Sequence, residues 1–184
     1  MPILINGLSS PKAGIRYGCA KILIDLSAEY PEKLYPHFDT FVGLLGSKYR
    51  ILTWNAMAII ANLAKVDSKQ KFDAVFDIYY SFLSDDYMVT VANVVGNSGN
   101  IAIAKPYLIS KITEKLLTVE QLSVTPHLTY ECKRVIAGHA IKAFNLFFDK
   151  VAQKEKVLAF VERQSNSSRQ VLREQAESFL KKWS

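Results

Sequence analysis

Four segments of the sequence carry the same arrangement of residues at nearly regular intervals. Each has a run of small and apolar residues that leads to an Asp or Asn followed by an aliphatic residue. The anchors are Asp25, Asn62, Asn100 and Asn145, which are 37, 38 and 45 residues apart. Such periods are typical of helical units that stack along the chain, because each unit can bury its apolar face only against a neighbour. The repeat predicts an all-α fold, an alpha-alpha superhelix (solenoid) of about four to five helical pairs.

The stretch Val94–Ala102, written VVGNSGNIA, has the glycine content of a phosphate-binding loop or of a turn that carries a nucleophile. It lacks both the GxSxG pattern of a nucleophile elbow and the GK[ST] ending of a phosphate loop. In the aligned repeats, Gly96–Gly99 takes the place of Ala58–Ala61 in the preceding unit. We therefore predict that the stretch is helical and that its small residues let neighbouring helices approach closely.

The segments between the anchors predict the remaining helices, because each repeats apolar residues three and four positions apart. With 49% hydrophobic residues and only 8 glycines and 6 prolines, the chain offers long windows for helices and few signals for strands. Ser47 is predicted to cap a helix, and Asp85 and Ser167 are predicted to precede helix starts. We predict one domain over residues 1–184, with units at approximately 10–46, 47–84, 85–122 and 126–164 and a cap at 167–184.

Two motifs resemble those of HEAT and armadillo repeat proteins. A basic residue followed by small and aliphatic residues opens RYGCAKILIDL at Arg16 and RILTWNAMAIIANL at Arg50. An asparagine followed by an aliphatic residue stands at Asn62–Leu63 and at Asn100–Ile101. The resemblance covers about Ser10 to Trp183. It implies a non-enzymatic protein-interaction scaffold that binds a protein or peptide segment on its concave face.

Recurring asparagines provide the candidate binding residues. An exposed asparagine offers one acceptor and two donors, so a row of them can bond the backbone of a bound segment whatever its side chains. Positions seven residues apart lie on the same helix face, which extends the row. The candidate residues for the partner site are Asn55, Asn62, Asn93, Asn100 and Asn145. An equally weighted interpretation is that each asparagine bonds a neighbouring helix and stabilises the stack.

The charge distribution supports an alternative function. The net charge is +6, and the whole excess lies from Cys132 onward, where 11 basic residues face 5 acidic ones. Arg169, Arg173 and Lys181 are spaced four and eight residues apart in the predicted last helix, where they form a possible anion patch. The alternative is a nucleic-acid-binding solenoid, such as the HEAT-like solenoids that resemble DNA-repair glycosylases. Because Glu174 and Glu177 lie among these cations, we expect only weak, nonspecific nucleic-acid binding.

Catalytic and metal-binding patterns receive little support from the sequence. His37, His127 and His139 fall in different units, and neither Cys19 nor Cys132 has metal-ligand spacing. We therefore predict that the protein is not an enzyme and has no metal site or cofactor. The absence of a charge-free apolar stretch of about 18 residues predicts no membrane segment. Two distant cysteines without a disulfide pattern favour a cytoplasmic location.

Overall fold

The computed structural model describes residues 1–183, and helices account for most of them. Within that range there is no β-strand, and Thr125 and Leu128 form an isolated antiparallel bridge in a loop. Short 3₁₀ turns extend several of the helices. The α-helices are α1 (Pro2–Gly7), α2 (Ala13–Glu29), α3 (Pro31–Leu34), α4 (Phe38–Leu44), α5 (Arg50–Leu63), α6 (Lys71–Ser81), α7 (Met88–Ala104), α8 (Ile109–Leu117), α9 (Tyr130–Phe147), α10 (Lys154–Gln164) and α11 (Gln170–Trp183).

The helices are grouped in two compact units, of which the first is Met1–Tyr79. In it, α2 packs against α1 and α5, while α3 and α4 pack against α5. The apolar residues that recur at helical spacing form its core, and the fully buried ones include Leu23, Leu34, Phe38, Phe41 and Ile60. This unit holds the predicted site residues Asn55 and Asn62.

The second unit begins at Tyr80. Its helices α7, α9 and α11 form a layer in which α9 contacts both of the others. Helices α8 and α10 lie behind this layer, where α8 contacts α7 and α9, and α10 contacts α9 and α11. Buried apolar residues fill the space between the two layers, among them Ile112, Phe144, Phe160 and Leu172. One side of the α7–α9–α11 layer is therefore left to solvent.

A hydrogen bond of the same kind precedes four of the long helices. A side-chain oxygen accepts the backbone N–H two residues later, at 3.2 Å from Ser10, 3.1 Å from Ser47, 2.8 Å from Asp85 and 3.2 Å from Ser167. These bonds turn the chain into α2, α5, α7 and α11, because short polar side chains compete well for backbone groups just outside a helix. Asp85 and Ser167 precede α7 and α11 as predicted, whereas Ser47 lies before α5 without being its N-cap, which is Tyr49.

The glycine-rich stretch Val94–Ala102 lies entirely within α7, which confirms the predicted helix. Gly99 faces α9 at very short range. A Cβ atom there would lie 2.6 Å from Leu146 Cδ1 and 3.2 Å from the Cα of Ala143. On the other side of α9, a Cβ on Gly138 would lie 2.5 Å from Gln175 Oε1 of α11. Gly99 thus lets α7 and α9 pack closely, and Gly138 leaves room for the side chain of Gln175.

Substitution of Gly99 tests this close packing. We expect Gly99→Ala to lower the free energy of unfolding by about 1–2 kcal/mol, because the new methyl group must displace Leu146 and the backbone of α9. Gly18→Ala in α2 is the matched control, since nothing lies within 4 Å of a Cβ atom there. That change should stabilise the protein by about 0.5–1 kcal/mol through helix propensity alone. Urea denaturation measures both effects, and equal stabilisation by the two changes would contradict the close contact.

Candidate functional site

The solvent side of the α7–α9–α11 layer carries adjoining depressions along α9. His139, Lys142 and Asn145 follow one another at intervals of three on α9, so Lys142 is a surface neighbour of both of the others. The depression between α7 and α9, here called the α7–α9 groove, has a volume of about 460 Å³ and is lined by Asn93, Asn97 and His139 among others. The depression between α9 and α11, here called the α9–α11 groove, has about 390 Å³ and includes Lys142 and Asn145.

Asparagines of α7 line the first of these grooves. Asn93 Nδ2 donates to the carbonyl oxygen of Val89 at 2.8 Å, and Asn97 Nδ2 donates to the carbonyl oxygen of Asn93 at 2.9 Å. Among the described residues neither Oδ1 atom has a hydrogen-bond partner, so both remain available as acceptors. Asn100 is exposed, and its side chain bonds no residue in the range 1–183. Sequence reasoning missed Asn97, although its place four residues after Asn93 and three before Asn100 puts it on the same face.

Asn145 has a different environment, between two helices. Its Oδ1 accepts a hydrogen bond from Trp183 Nε1 at 2.8 Å and another from Lys182 Nζ at 3.0 Å. These two bonds connect α9 to the last turn of α11. The Oδ1 atom is therefore occupied by the protein itself, whereas Nδ2 bonds nothing in the described part of the chain.

The predicted site residues of the first unit are Asn55 and Asn62, and they also differ from each other. Asn62 Nδ2 donates to Ser27 Oγ at 2.9 Å, and the buried Ser27 donates in turn to the carbonyl oxygen of Ile24 at 2.6 Å. This chain of hydrogen bonds links α5 to α2. Asn55 is half-buried, and its side chain bonds no other residue between 1 and 183. The interpretation that an asparagine stabilises the stack of helices thus fits Asn62 well. That the five asparagines bind a partner stays a prediction.

The three cations of the predicted anion patch are engaged to different extents. Arg169 forms an ion pair with Glu131, which also pairs with Arg134 at 3.1 Å. Hydrogen bonds from Arg169 and then Arg134 hold the pKa of Glu131 below its ordinary value. Arg173 Nη1 donates to the carbonyl oxygen of Ser167 at 2.7 Å. Lys181 is exposed and has no ion-pair partner among the described residues. Phosphate binding by these three cations stays a prediction.

Comparison with known proteins supports the fold. No protein-family model and no curated protein matches the chain. Among solved structures, the chain is similar to an engineered protein at a TM-score of 0.55 and 16% identity, covering 97% of this chain and 77% of that one. It is also similar to a designed armadillo repeat protein at a TM-score of 0.51 and 16% identity, covering 98% of each chain. The chain has an armadillo/HEAT-like helical repeat fold.

The all-α solenoid predicted from the repeat is thereby confirmed. In this armadillo/HEAT-like fold, α2, α5, α7 and α9 carry the aligned anchors Asp25, Asn62, Asn100 and Asn145. Within residues 1–183, no helix combines the length and the apolar character needed to cross a bilayer. That same range contains no cluster of three or more His, Cys, Asp or Glu side chains able to hold a metal ion.

His139 lies where the depressions of the repeat surface meet. It lines the α7–α9 groove and also a small depression toward α11, which includes Arg134, Lys142 and Arg169. Burial of the imidazole and, to a smaller extent, the positive charge of Lys142 lower the pKa of His139. Both effects disfavour the imidazolium form. The neutral imidazole that they favour can accept a hydrogen bond at one ring nitrogen while donating from the other.

Substitution of Asn62 and of Asn100 tests which of these asparagines stabilises the packing of the helices. Asn62→Ala should lower the free energy of unfolding by about 1 kcal/mol or more, because it removes the partner of a buried Ser27 hydroxyl. Asn100→Ala should change it by less than about 0.5 kcal/mol, since the side chain is exposed and forms no hydrogen bond within the described chain. Thermal and urea unfolding of both variants provide the measurement. A comparable loss of stability in the two variants would show that Asn100 also supports the stack.

The pKa of His139 can be tested directly by NMR titration of its ring protons. We expect Lys142→Met to raise this pKa part of the way to its ordinary value, because burial, the larger cause, remains. Since the folded-state pKa is lowered, the folded chain binds this proton less readily than the unfolded chain. Stability should therefore fall as the pH drops below about 6.5, and less so in Lys142→Met. Lys150→Met, a change at an exposed lysine outside these depressions, should leave the titration unchanged.

Proposed function

We propose that this protein is a non-enzymatic scaffold that binds a segment of a partner protein on the solvent side of the α7–α9–α11 layer. The observation that supports it most is the asparagine face of α7. Asn93 and Asn97 have unused Oδ1 acceptors, and Asn100 has an unused amide, in the described part of the chain. Amide groups of this kind can pair with the N–H and C=O groups of an extended backbone.

Apolar side chains on the same face add to this support. Val89 and Ile103, at the two ends of the α7 stripe, are 41% and 47% exposed, and Leu146 of α9 is 51% exposed. Covering such side chains with a partner removes apolar area from water, which contributes about 25 cal/mol for each Å². The combination of backbone-binding amides and exposed aliphatic groups suits a protein segment.

The fold is consistent with this proposal, because stacked helical units expose extended surfaces rather than deep cavities. Nucleic acid, the alternative partner, is less well supported by the same surface. Arg169 is already paired with Glu131, and Arg173 holds the chain before α11. Phosphate binding needs several available cations on one surface, so we assign the function to protein binding.

Photo-crosslinking and affinity measurement test the proposal. The full-length protein carrying a photo-crosslinking residue at position 97 is used to capture partners, and the captured protein is then titrated against variants. Asn97→Ala combined with Asn100→Ala should weaken its binding by about 0.5–1.5 kcal/mol for each site while leaving the unfolding temperature almost unchanged. Asn166→Ala, an exposed asparagine in the loop before α11, is the matched control and should have no effect.

Two results would contradict the proposal. One is a captured protein whose affinity is the same for the wild type and the Asn97/Asn100 double variant. The other is recovery of nucleic acid in place of protein, with an affinity that falls steeply as salt is raised. The second result would favour the alternative function.

A further inference from the structure

The α9–α11 groove has an apolar floor bordered by positive charge. Ile141 and Phe179 are buried beneath it, and Val171, which is 51% exposed, lies at its surface. Lys142 of α9 and Lys182 of α11 line the same groove. Its volume of about 390 Å³ is within the range of pockets that bind small ligands.

Lys182 is held in a defined position by its neighbours. Its Nζ lies 3.0 Å from Asn145 Oδ1 and 4.3 Å from the centre of the Trp183 ring, while Trp183 Nε1 donates to the same Oδ1 at 2.8 Å. These contacts already restrict the rotation of the Lys182 side chain. Binding an anion therefore costs this lysine less conformational entropy than it costs a freely rotating surface lysine. No carboxylate in residues 1–183 pairs with Lys182 or with Lys142. Within those residues, both lysines at the groove therefore keep a positive charge that no ion pair neutralises.

The remaining polar groups also favour a ligand that accepts hydrogen bonds. Asn145 uses its acceptor on α11, which leaves the Nδ2 donor without a partner in the described chain. Gln175, across from Gly138, likewise has no side-chain hydrogen bond to any described residue. Glu174 is the one acidic residue that lines the groove within the described range, and its Oε1 accepts from Gln170 Nε2 at 2.8 Å. Donors and positive charge thus outnumber acceptors and negative charge.

We propose that the α9–α11 groove binds an extended acidic segment of a partner protein. Carboxylates of that segment pair with Lys142 and Lys182, the Nδ2 of Asn145 donates to the bound chain, and an apolar side chain between the carboxylates covers Val171. This inference rests on the proposed function and names the partner class for the same layer of helices. It assigns recognition of charge to the α9–α11 groove and pairing with the backbone to the α7–α9 groove.

The structure favours an acidic protein segment over nucleic acid at this position. The apolar floor beside Val171 gives no stabilisation to a sugar–phosphate backbone, whereas it suits an aliphatic side chain. The neighbouring cations Arg134 and Arg169 share the carboxylate of Glu131, so these three side chains together add only one net positive charge. Two uncompensated lysines match the spaced carboxylates of a peptide better than a continuous run of phosphates.

The test uses the full-length protein and short fluorescein-labelled peptides in fluorescence anisotropy titrations. The main probe alternates glutamate with leucine. We expect it to bind the wild type with an affinity that falls as ionic strength rises. Lys142→Glu combined with Lys182→Glu should weaken binding by about tenfold or more, and Lys182→Met should weaken it to a smaller extent. Lys150→Glu combined with Lys156→Glu, which makes the same change in net charge away from the groove, should leave the affinity within about twofold.

Comparison probes decide among the remaining explanations. A glutamate–serine peptide should bind more weakly than the glutamate–leucine peptide, because it cannot cover the apolar floor. A lysine–leucine peptide should not bind. Three results would each overturn the inference. The groove and control variants could lose affinity equally, or the lysine–leucine peptide could bind as tightly as the glutamate–leucine peptide. Single-stranded DNA could also bind more tightly than that peptide in a manner that depends on Lys142 and Lys182. Circular dichroism and thermal unfolding of every variant ensure that lost binding is not lost folding.

The two proposals can fail independently. If the glutamate–leucine peptide does not bind but a captured protein depends on Asn97 and Asn100, the acidic-segment inference is wrong and the scaffold function stands. If the peptide binds through Lys142 and Lys182 while capture is insensitive to Asn97 and Asn100, the acidic groove stands and the asparagine site is wrong.

Discussion

Close contact between neighbouring helices of the second unit determines what its surface can present. At Gly99 the backbone of α7 comes so near to α9 that an added Cβ would lie 3.2 Å from the Cα of Ala143. At Gly138 the space next to α9 is filled by Gln175 of α11. Because α7 lies this close to α9 and Gln175 fills the space beside Gly138, the depressions are shallow and are lined by side chains of neighbouring helices. Polar groups of α7 and α11 are thus brought next to His139, Lys142 and Asn145 of α9.

Features that depend on local spacing could be predicted from the sequence. Apolar residues three and four apart predicted the helices, and the equivalence of Gly96–Gly99 with Ala58–Ala61 placed the glycine-rich stretch inside α7 rather than in a loop. Ser47, Asp85 and Ser167 marked helix starts because their hydrogen bonds reach only two residues along the chain. In each case the interaction that decides the structure lies within one or two turns of helix.

Interactions between distant residues could not be predicted in the same way. Asn62 bonds Ser27 across 35 positions, and Trp183 bonds Asn145 across 38. Arg169 and Glu131 are also 38 positions apart. Helical spacing shows which residues share a face, but it does not reveal which side chain of a neighbouring helix lies opposite. The sequence therefore identified a polar row and a basic last third, while the partners that occupy Asn62, Asn145 and Arg169 emerged only from packing.

Equivalent asparagines of the repeat consequently differ in what they can bind. Asn62 meets the buried hydroxyl of Ser27, and its donor is used inside the stack. Asn145 meets Trp183 and Lys182, so its acceptor is used while the lysine that it holds stays at the surface. Asn100 is exposed, and its amide forms no hydrogen bond with any described residue. A repeat fixes where each asparagine sits on its helix, but the neighbouring helix decides whether the amide stabilises the fold, orients another side chain or remains available for binding. In the binding mode that we propose, this division lets the second unit combine neutral amides at the α7–α9 groove with an oriented positive charge at the α9–α11 groove.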